Sequence, residues 1–224
     1  MDWFREVNNY CERIDNSYWS EPVNALSNFA FIVAAILCWR FIGARRDVGA
    51  RLLTGVLFAI GVGSYLFHTH AQIWALTADV VPIQLFILIY VYYATVRFFA
   101  APRWAGFAAV ALFIPYAALA SRAIEAVTGP LNGSVGYAPV PILIAAYALA
   151  LRGRAPETAR GLAIGSAILL ISLTFRTIDA SVCPAFPLGT HFLWHILNGV
   201  MLGIMIVVLV RHADRPLAAM RARG

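Results

Sequence analysis

The segment H-F-L-W-H-I-L-N-G-V-M-L-G-I-M-I-V-V-L-V, residues 191–210, decides the fold. It contains no Asp, Glu, Lys or Arg, and about twenty mostly apolar residues are what a helix needs to cross a bilayer. Its first and fifth residues are His191 and His195. Side chains four positions apart share one face of a helix. The segment therefore predicts a membrane-spanning helix that carries two imidazoles near one end.

The composition of the whole chain also indicates a membrane protein. Of its 224 residues, 61% are hydrophobic and 12% are charged, whereas an average soluble domain is about 45–50% apolar and about 25% charged. So few charges exclude a water-soluble globule, so many apolar residues exclude disorder, and 3 cysteines exclude a disulfide-rich extracellular module. The basic residues behind the net charge of +6 are scattered between apolar runs, which argues against nucleic-acid binding.

Six further apolar runs precede residues 191–210, with breaks that contain Arg, Pro or Gly. Such runs are expected to be helical, because lipid-exposed backbone must satisfy its own hydrogen bonds. We therefore predict an all-α integral membrane protein, a bundle of seven transmembrane helices. Pro139 and Pro141 make the fifth run the weakest. The predicted spans are 23–42, 52–70, 79–99, 104–121, 133–151, 161–180 and 190–210.

The distribution of arginine predicts the orientation of the bundle. Cytoplasmic connections carry an excess of basic residues, and here 13 arginines follow spans one, three, five and seven, against 4 elsewhere. We expect an outside N-terminal segment at 1–22, a membrane domain at 23–210 and a basic cytoplasmic tail at 211–224. The first set is Arg40, Arg45, Arg46, Arg51, Arg97, Arg103, Arg152, Arg154, Arg160, Arg211, Arg215, Arg221 and Arg223, and the second is Arg5, Arg13, Arg122 and Arg176.

Five polar residues in the spans are expected to lie at one depth. Ser64 and His68 are four residues apart at the outside end of the second span, and Asp79 begins the third. His191 and His195 begin the seventh span on the same side. Polar residues inside a membrane are costly and often mark a functional site.

Three imidazoles with one open position form a common catalytic zinc site, in which zinc activates a water and polarises a carbonyl. Asp79 is placed to exchange protons with that water, and Ser64 to donate a hydrogen bond to a developing oxyanion. Other interpretations stay open. The histidines could be packing residues, the zinc could be structural in a lipid receptor, or histidines of spans two and seven could hold haem in a membrane carrier.

Further polar residues lie outside this set. Asn24, Ser27 and Asn28 form a stripe on the first span, which favours hydrogen bonding between helices, with substrate contact as the alternative. Near the outside end of span six, Arg176 and Asp179 are three residues apart and form either an ion pair or substrate contacts.

The outside N-terminal segment carries the carboxylates of Glu12, Asp15 and Glu21. They are either a solvated segment or ligands for a hard cation such as calcium. Cys11 and Cys183 both fall on the outside, where they could form a disulfide or stay as thiols.

Together these residues resemble the alkaline ceramidase family, within a wider superfamily of seven-helix membrane hydrolases and receptors. The resemblance implies a membrane amidase that hydrolyses ceramide to a sphingoid base and a fatty acid. It places zinc on His68, His191 and His195, oxyanion stabilisation on Ser64, acid–base catalysis on Asp79 and a disulfide on Cys11 and Cys183. The matching segments are Y-C-E-R (10–13), E-P-V-N-A-L-S-N (21–28), G-V-G-S-Y-L-F-H (61–68), Asp79, Cys183 and H-F-L-W-H (191–195).

The resemblance also implies a calcium site in the N-terminal segment. Glu12 and Glu21 match the pattern of the family, and Asp15 and Asn9 are the other candidate ligands, although the stretch between the glutamates is shorter here. The expected partners are a long-chain N-acyl lipid and membrane lipids, without nucleic acid or an obligate protein partner. An Ala-rich composition with Arg but no Lys is typical of a bacterial protein, so we expect the bacterial inner membrane with the zinc site towards the periplasm.

Overall fold

The computed structural model describes residues 2–221, with side chains up to Asp214. In this range the chain is helical and contains no strand, only an isolated antiparallel bridge between Glu6 and Gln72. The all-α prediction is therefore confirmed. The helices are α1 (Pro22–Ser27), α2 (Phe29–Ile42), α3 (Val48–His70), α4 (Ile73–Phe98), α5 (Arg103–Thr128), α6 (Pro139–Leu151), α7 (Pro156–Val182) and α8 (His191–Arg221), with a 3₁₀ helix at Leu131–Gly136.

Most of these helices are long and apolar enough to cross a membrane, so the chain is a multi-pass membrane protein. The short helices α1 and α2 reach spanning length only together, as Pro22–Ile42. The helix α6 has 13 residues and extends about 20 Å, less than the bilayer core of about 30 Å. The weakness predicted for the fifth run therefore appears as a short helix. The direction in which the bundle crosses the membrane stays a prediction. Within the described residues, 6 candidate spans are found: Pro22–Ile42, Val48–His70, Ile73–Phe98, Arg103–Thr128, Pro156–Val182 and His191–Asp214.

Several boundaries differ from the sequence prediction, and two of them bear on the site and on the predicted tail. The third span begins at Ile73 rather than at residue 79, because Ala71 adopts a left-handed conformation with φ of 46° and reverses the chain at once. Asp79 consequently lies almost two turns inside α4. The last helix continues beyond residue 210 to Arg221, so the predicted tail begins as helix, while residues 222–224 lie outside the described part of the chain.

Glycine allows two pairs of helices to approach each other closely near the five polar residues that were predicted to lie at one depth. A Cβ atom added to Gly63 of α3 would lie 2.0 Å from the carbonyl oxygen of Ala78 in α4, and one added to Gly199 of α8 would lie 2.9 Å from the backbone carbon of Ala30 in α2. No larger residue fits at Gly63 without moving backbone. This contact brings Ser64 and Asp79, the next residues along each helix, to the same level.

At the opposite end of the bundle, an ion pair fixes α3 against α4. The Asp47 carboxylate accepts two hydrogen bonds from Arg97, at 2.7 and 2.6 Å, and one at 2.9 Å from the backbone N–H of Ala50 at the start of α3. Burial acts to raise the pKa of Asp47, but these hydrogen bonds and the charge of Arg97 outweigh it, and the pKa lies below its usual value.

Candidate metal centre and active site

Three histidines converge where α3 ends and α8 begins. His68 comes from the last turn of α3, and His191 and His195 occupy the first two turns of α8. Their side chains are 0%, 1% and 1% exposed, and one ligand nitrogen from each lies within 4.8 Å of the others. Among the described residues, no other group of three or more His, Cys, Asp or Glu side chains converges in this way.

The orientation of His68 is set by Glu21, the residue that immediately precedes α1. The Nδ1 atom of His68 lies 2.6 Å from Oε2 of Glu21. Because a carboxylate only accepts hydrogen bonds, Nδ1 carries the proton and Nε2 keeps its lone pair. This Nε2 atom is buried and finds no hydrogen-bond partner in the described part of the chain.

His195 is held in the same tautomer by a hydroxyl. The Oγ atom of Ser27 lies 2.7 Å from Nδ1 of His195 and donates its own proton to the carbonyl oxygen of Asn24 at 2.8 Å. The Ser27 hydroxyl therefore accepts a hydrogen bond from Nδ1, and Nε2 of His195 carries the lone pair. A metal-binding histidine usually passes its second N–H to such a partner.

His191 is positioned by stacking and by its own backbone. Its ring lies over that of Tyr10, with centroids 3.7 Å apart and planes inclined by 20°. Its backbone N–H donates to the Asp179 carboxylate at 2.9 Å, which anchors the start of α8.

These donors fit a transition metal with an open coordination position. Neutral imidazoles are ligands that zinc and its neighbours in the periodic table accept. A buried imidazole nitrogen without a partner costs free energy, and an ion coordinated by the group would remove that cost. The residues thus suit a transition-metal ion of the kind that the sequence pattern predicts.

Ser64 and Asp79 lie beside the histidines, and both side chains are buried. Asp79 is close enough to Ser64 and His68 to interact electrostatically with both. Its Oδ1 atom has no partner within the described residues. A buried carboxylate oxygen that is free to exchange a proton is what the predicted acid–base role needs.

The disulfide between Cys11 and Cys183 is present, with Cα atoms 5.5 Å apart. It joins the N-terminal segment to the connection between α7 and α8, as predicted. Because Tyr10 and Glu12 flank Cys11, the bridge holds the residues that pack around the histidines.

Comparison with known protein families agrees with this geometry. The family model described as Ceramidase matches residues 7–216 of the chain. The chain belongs to the ceramidase family. The match extends from the N-terminal segment into α8 and includes every residue of the histidine group, and it confirms the resemblance seen in the motifs. A search among curated proteins finds no match. Membership of the ceramidase family supports, in general terms, hydrolysis of a ceramide-type amide.

An apolar cavity lies next to the histidine group of this ceramidase-family chain. Phe31 lines the cavity and packs its ring edge-on against His195, with centroids 6.2 Å apart. Trp194, between the two histidines of α8, lines the cavity as well. Further into the bundle the walls are almost wholly hydrocarbon and include Phe86 and Met201. The cavity therefore suits an alkyl chain whose polar end lies at the histidines.

Asp179 does not form the ion pair predicted for it. Its carboxylate accepts hydrogen bonds from the backbone N–H groups of Cys11 at 3.0 Å, Thr190 at 2.7 Å and His191 at 2.9 Å. Over the described range it forms no ion pair with Arg176. The predicted ion pair is not formed, because two backbone N–H groups at the start of α8 and that of Cys11 hold the carboxylate.

Arg176 points instead into an aromatic cage. Its guanidinium lies 5.5–5.8 Å from the ring centroids of Tyr10, Tyr137 and Trp194, and it donates to the Tyr10 hydroxyl at 3.1 Å. Its Nε atom is buried and unpartnered as far as the described residues go. Trp194 and Tyr137 also line the apolar cavity, so Arg176 sits beside the space that a substrate would enter.

The asparagines of the first span bond locally rather than between helices. Asn28 donates from Nδ2 to the carbonyl oxygen of Asn24 at 2.8 Å, and Asn24 donates from Nδ2 to Glu21 at 3.1 Å. Of the predicted stripe, Ser27 makes the contact between helices, to His195. The Oδ1 atoms of both asparagines are buried, and the described residues supply neither with a partner.

Of the residues expected to bind calcium, Glu12, Asp15 and Glu21 do not form a converging group of ligand atoms among the described residues. Glu12 caps the start of α1, accepting from the backbone N–H groups of Val23 at 2.7 Å and Asn24 at 2.8 Å. Burial raises the pKa of Glu12. Asp15 and Asn9 are exposed, and hydrogen bonds from Ser17 lower the pKa of Asp15.

Two residues of the site were missed by the sequence interpretation. Tyr10, which stacks on His191, was seen only as part of a motif. Arg13 was counted among the outside arginines, yet it is buried and contacts Glu21. The sequence offered a signal for this position. Arg13 stands between Glu12 and Asp15, and an arginine so close to carboxylates is expected to pair with one of them.

Proposed function

We propose that this ceramidase-family chain is a zinc-dependent membrane amidase that hydrolyses the amide bond of ceramide or a related long-chain N-acyl lipid. The observation that carries the proposal is the buried histidine group, with its unpartnered Nε2 atom of His68, next to an apolar cavity whose wall residue Phe31 packs on His195. The products would be a fatty acid and an amine, which is a sphingoid base when the substrate is ceramide.

His68, His191 and His195 would hold the metal, each through one ring nitrogen. A bound zinc ion would supply a Lewis acid for the amide carbonyl and lower the pKa of a coordinated water to about 7. Glu21 and Ser27 keep the Nδ1 protons of His68 and His195 in place, so that both Nε2 atoms remain lone-pair donors.

Asp79 serves as general base and then as general acid. Its carboxylate takes a proton from the attacking water and delivers it to the amide nitrogen as the C–N bond breaks. The hydroxyl of the water remains on the carbonyl carbon, which gives the carboxylic acid. The Ser64 hydroxyl donates to the carbonyl oxygen as negative charge develops there.

The cavity and nearby buried polar atoms position the lipid. Phe31 and Trp194 place the first part of the alkyl chain against the histidine group. Arg176, Asn24 and Asn28 are proposed contacts for the polar part of the substrate, because each carries a buried polar atom whose partner is not among the described residues.

The domain organisation and location follow the sequence prediction. We propose an outside segment at 1–22, a seven-helix membrane domain at 23–210 and a cytoplasmic basic tail at 211–224. The location would be a bacterial inner membrane with the metal centre towards the periplasm. The arginine distribution supports this orientation.

The test is release of both products from a panel of N-acyl lipids by the purified protein, measured by mass spectrometry. We expect His191→Ala to abolish turnover. His70→Ala is the matched control, because His70 is exposed and lies two residues from His68 outside the metal group. Equal turnover by the His191→Ala variant would contradict the proposal. No turnover on any lipid, with ligand-induced stabilisation, would instead favour a receptor with a structural metal.

The packing of the histidines favours a single ion over haem. The ring centroids of His68 and His195 are 4.7 Å apart, and those of His191 and His195 are 4.5 Å apart. Imidazoles in mutual contact leave no room for a porphyrin between them. A Soret band in the purified protein would contradict this.

A further inference from the structure

Arg13 lies at the centre of the N-terminal segment, surrounded by oxygen atoms. Its guanidinium pairs with the Glu21 carboxylate and donates to the carbonyl oxygens of Asp15 at 3.0 Å and His68 at 2.9 Å. The side chains of Arg13 and Glu21 are 1% and 3% exposed. A fixed positive charge is therefore held by a carboxylate and two backbone carbonyls, shielded from water.

The same oxygen types bind calcium in proteins, and calcium requires six to eight of them. Here the carboxylates already have donors. Both oxygens of Glu12 accept backbone hydrogen bonds, one oxygen of Glu21 pairs with Arg13, and the other accepts from His68 and Asn24. A divalent cation beside Glu21 would also face the guanidinium at short range, which is strongly unfavourable in a buried environment. The residues present do not fit the calcium ion that the resemblance implies.

We propose that the Arg13 guanidinium takes the place of that cation, so that the N-terminal segment is ordered without calcium, and that Arg13 positions His68 for metal binding.

Arg13 holds His68 from two directions. Through Glu21 it fixes the carboxylate that accepts the Nδ1 proton of His68. Through Nη2 it binds the carbonyl oxygen of the same histidine. His68 belongs to the last turn of α3, where carbonyl groups have no partner inside the helix and a cation is favourable. The ring and the backbone of His68 are thus tied to one side chain.

The first measurement is a calcium titration of the wild-type protein. We expect no change in Tm or in zinc affinity at about 10 mM calcium, a concentration that nearly saturates even weak extracellular calcium sites. A calcium chelator that spares zinc should have no effect either. A rise in Tm with calcium would overturn the inference.

The second measurement is zinc affinity in Arg13 variants, determined by competition with a chromophoric chelator. We expect Arg13→Gln to weaken zinc binding by about 10–100-fold, as is usual when a group that orients a metal ligand is removed. Arg13→Lys should recover part of that loss, because it keeps the charge. Arg97→Gln removes another arginine–carboxylate pair, far from the histidines, and should leave zinc affinity unchanged.

The absorption spectrum of the cobalt-substituted protein adds a readout of ligand geometry, which should change in Arg13→Gln and not in Arg97→Gln. Unchanged zinc affinity and an unchanged cobalt spectrum in Arg13→Gln would overturn the inference. If that variant does not fold, the calcium titration and Arg13→Lys still decide it.

The inference rests on the metal-binding part of the proposed function, and the two can fail separately. A protein that binds zinc and ignores calcium but cleaves no amide keeps the inference and loses the proposed activity. A protein that cleaves the amide only in the presence of calcium keeps the activity and loses the inference.

Discussion

The Ser27 hydroxyl lies 2.7 Å from Nδ1 of His195, across the contact between α1 and α8. Since the same hydroxyl donates to the carbonyl oxygen of Asn24, the imidazole must be the donor to Ser27. Nε2 of His195 then faces the other two histidines as a lone-pair donor. A residue in the first span thus sets the tautomer of a residue in the last.

We expect Ser27→Ala to weaken metal binding by about 10-fold or more, because the His195 ring loses the partner that fixes its tautomer and orientation. The measurement is zinc affinity by chelator competition. Ser166→Ala is the control, since it removes a buried hydroxyl that bonds only to Pro141 in α6, at 2.8 Å. Equal zinc affinity in the two variants would show that Ser27 has no orienting role.

Gly63→Ala should reduce both stability and activity. The added Cβ would collide with the carbonyl oxygen of Ala78, and such overpacking costs about 1–3 kcal/mol. It would also separate Ser64 from Asp79. Gly55→Ala on the same helix is the control, because no described atom lies within 4 Å of its added Cβ. That variant should be neutral or more stable by about 0.5–1 kcal/mol. Thermal unfolding in detergent distinguishes them, and identical Tm values would contradict the prediction.

Asp79→Asn should retain the metal and lose turnover. An amide cannot take the proton from water or pass it to the leaving nitrogen, and loss of a general acid–base group typically lowers the rate by about 10²–10⁴-fold. Metal analysis and initial rates of amide cleavage on the same sample test this. Retention of full activity would exclude Asp79 as the acid–base group.

Asp47 should make stability depend on pH in the acid range. Its folded-state pKa is lowered, so its contribution is complete above the unfolded pKa of about 4 and is lost as the pH falls through the folded pKa. At neutral pH, Asp47→Asn should lower the free energy of unfolding by about 1–3 kcal/mol. The difference from wild type should disappear at low pH.

Asp214→Asn provides the comparison for Asp47. Asp214 pairs with Arg45 at 3.1 Å, but the two side chains are 40% and 43% exposed, and exposed pairs contribute less than about 1 kcal/mol. We expect little change in Tm for this variant over the same pH range. A larger fall in Tm for Asp214→Asn than for Asp47→Asn would contradict the prediction that the Asp47 pair contributes more to stability.

The sequence was sufficient to predict the apolar helices and the histidine group. Long apolar runs allow only helices in lipid, and the i, i+4 spacing of His191 and His195 fixes their common face. The depth of His68 in the membrane was predicted from the alternating directions in which successive spans cross it. These features depend on local pattern and on topology alone.

Other features depend on contacts that no local pattern encodes. Asp179 was paired in the prediction with its neighbour Arg176, but three backbone N–H groups, two of them at the start of α8, compete for its carboxylate. The start of α4 was missed because the turn before it uses Ala71 in a left-handed conformation, in which glycine is the usual residue. The buried position of Arg13 emerges only when the N-terminal segment folds back over the end of α3.

The most direct test of the central claim is amide hydrolysis by the purified protein after its metal has been removed and zinc has then been returned. Ceramide cleavage should disappear in the metal-free protein and reappear as zinc approaches one ion per chain, with no recovery in His191→Ala. Cleavage that persists without metal, or that returns equally in His191→Ala, would contradict a zinc amidase built on His68, His191 and His195.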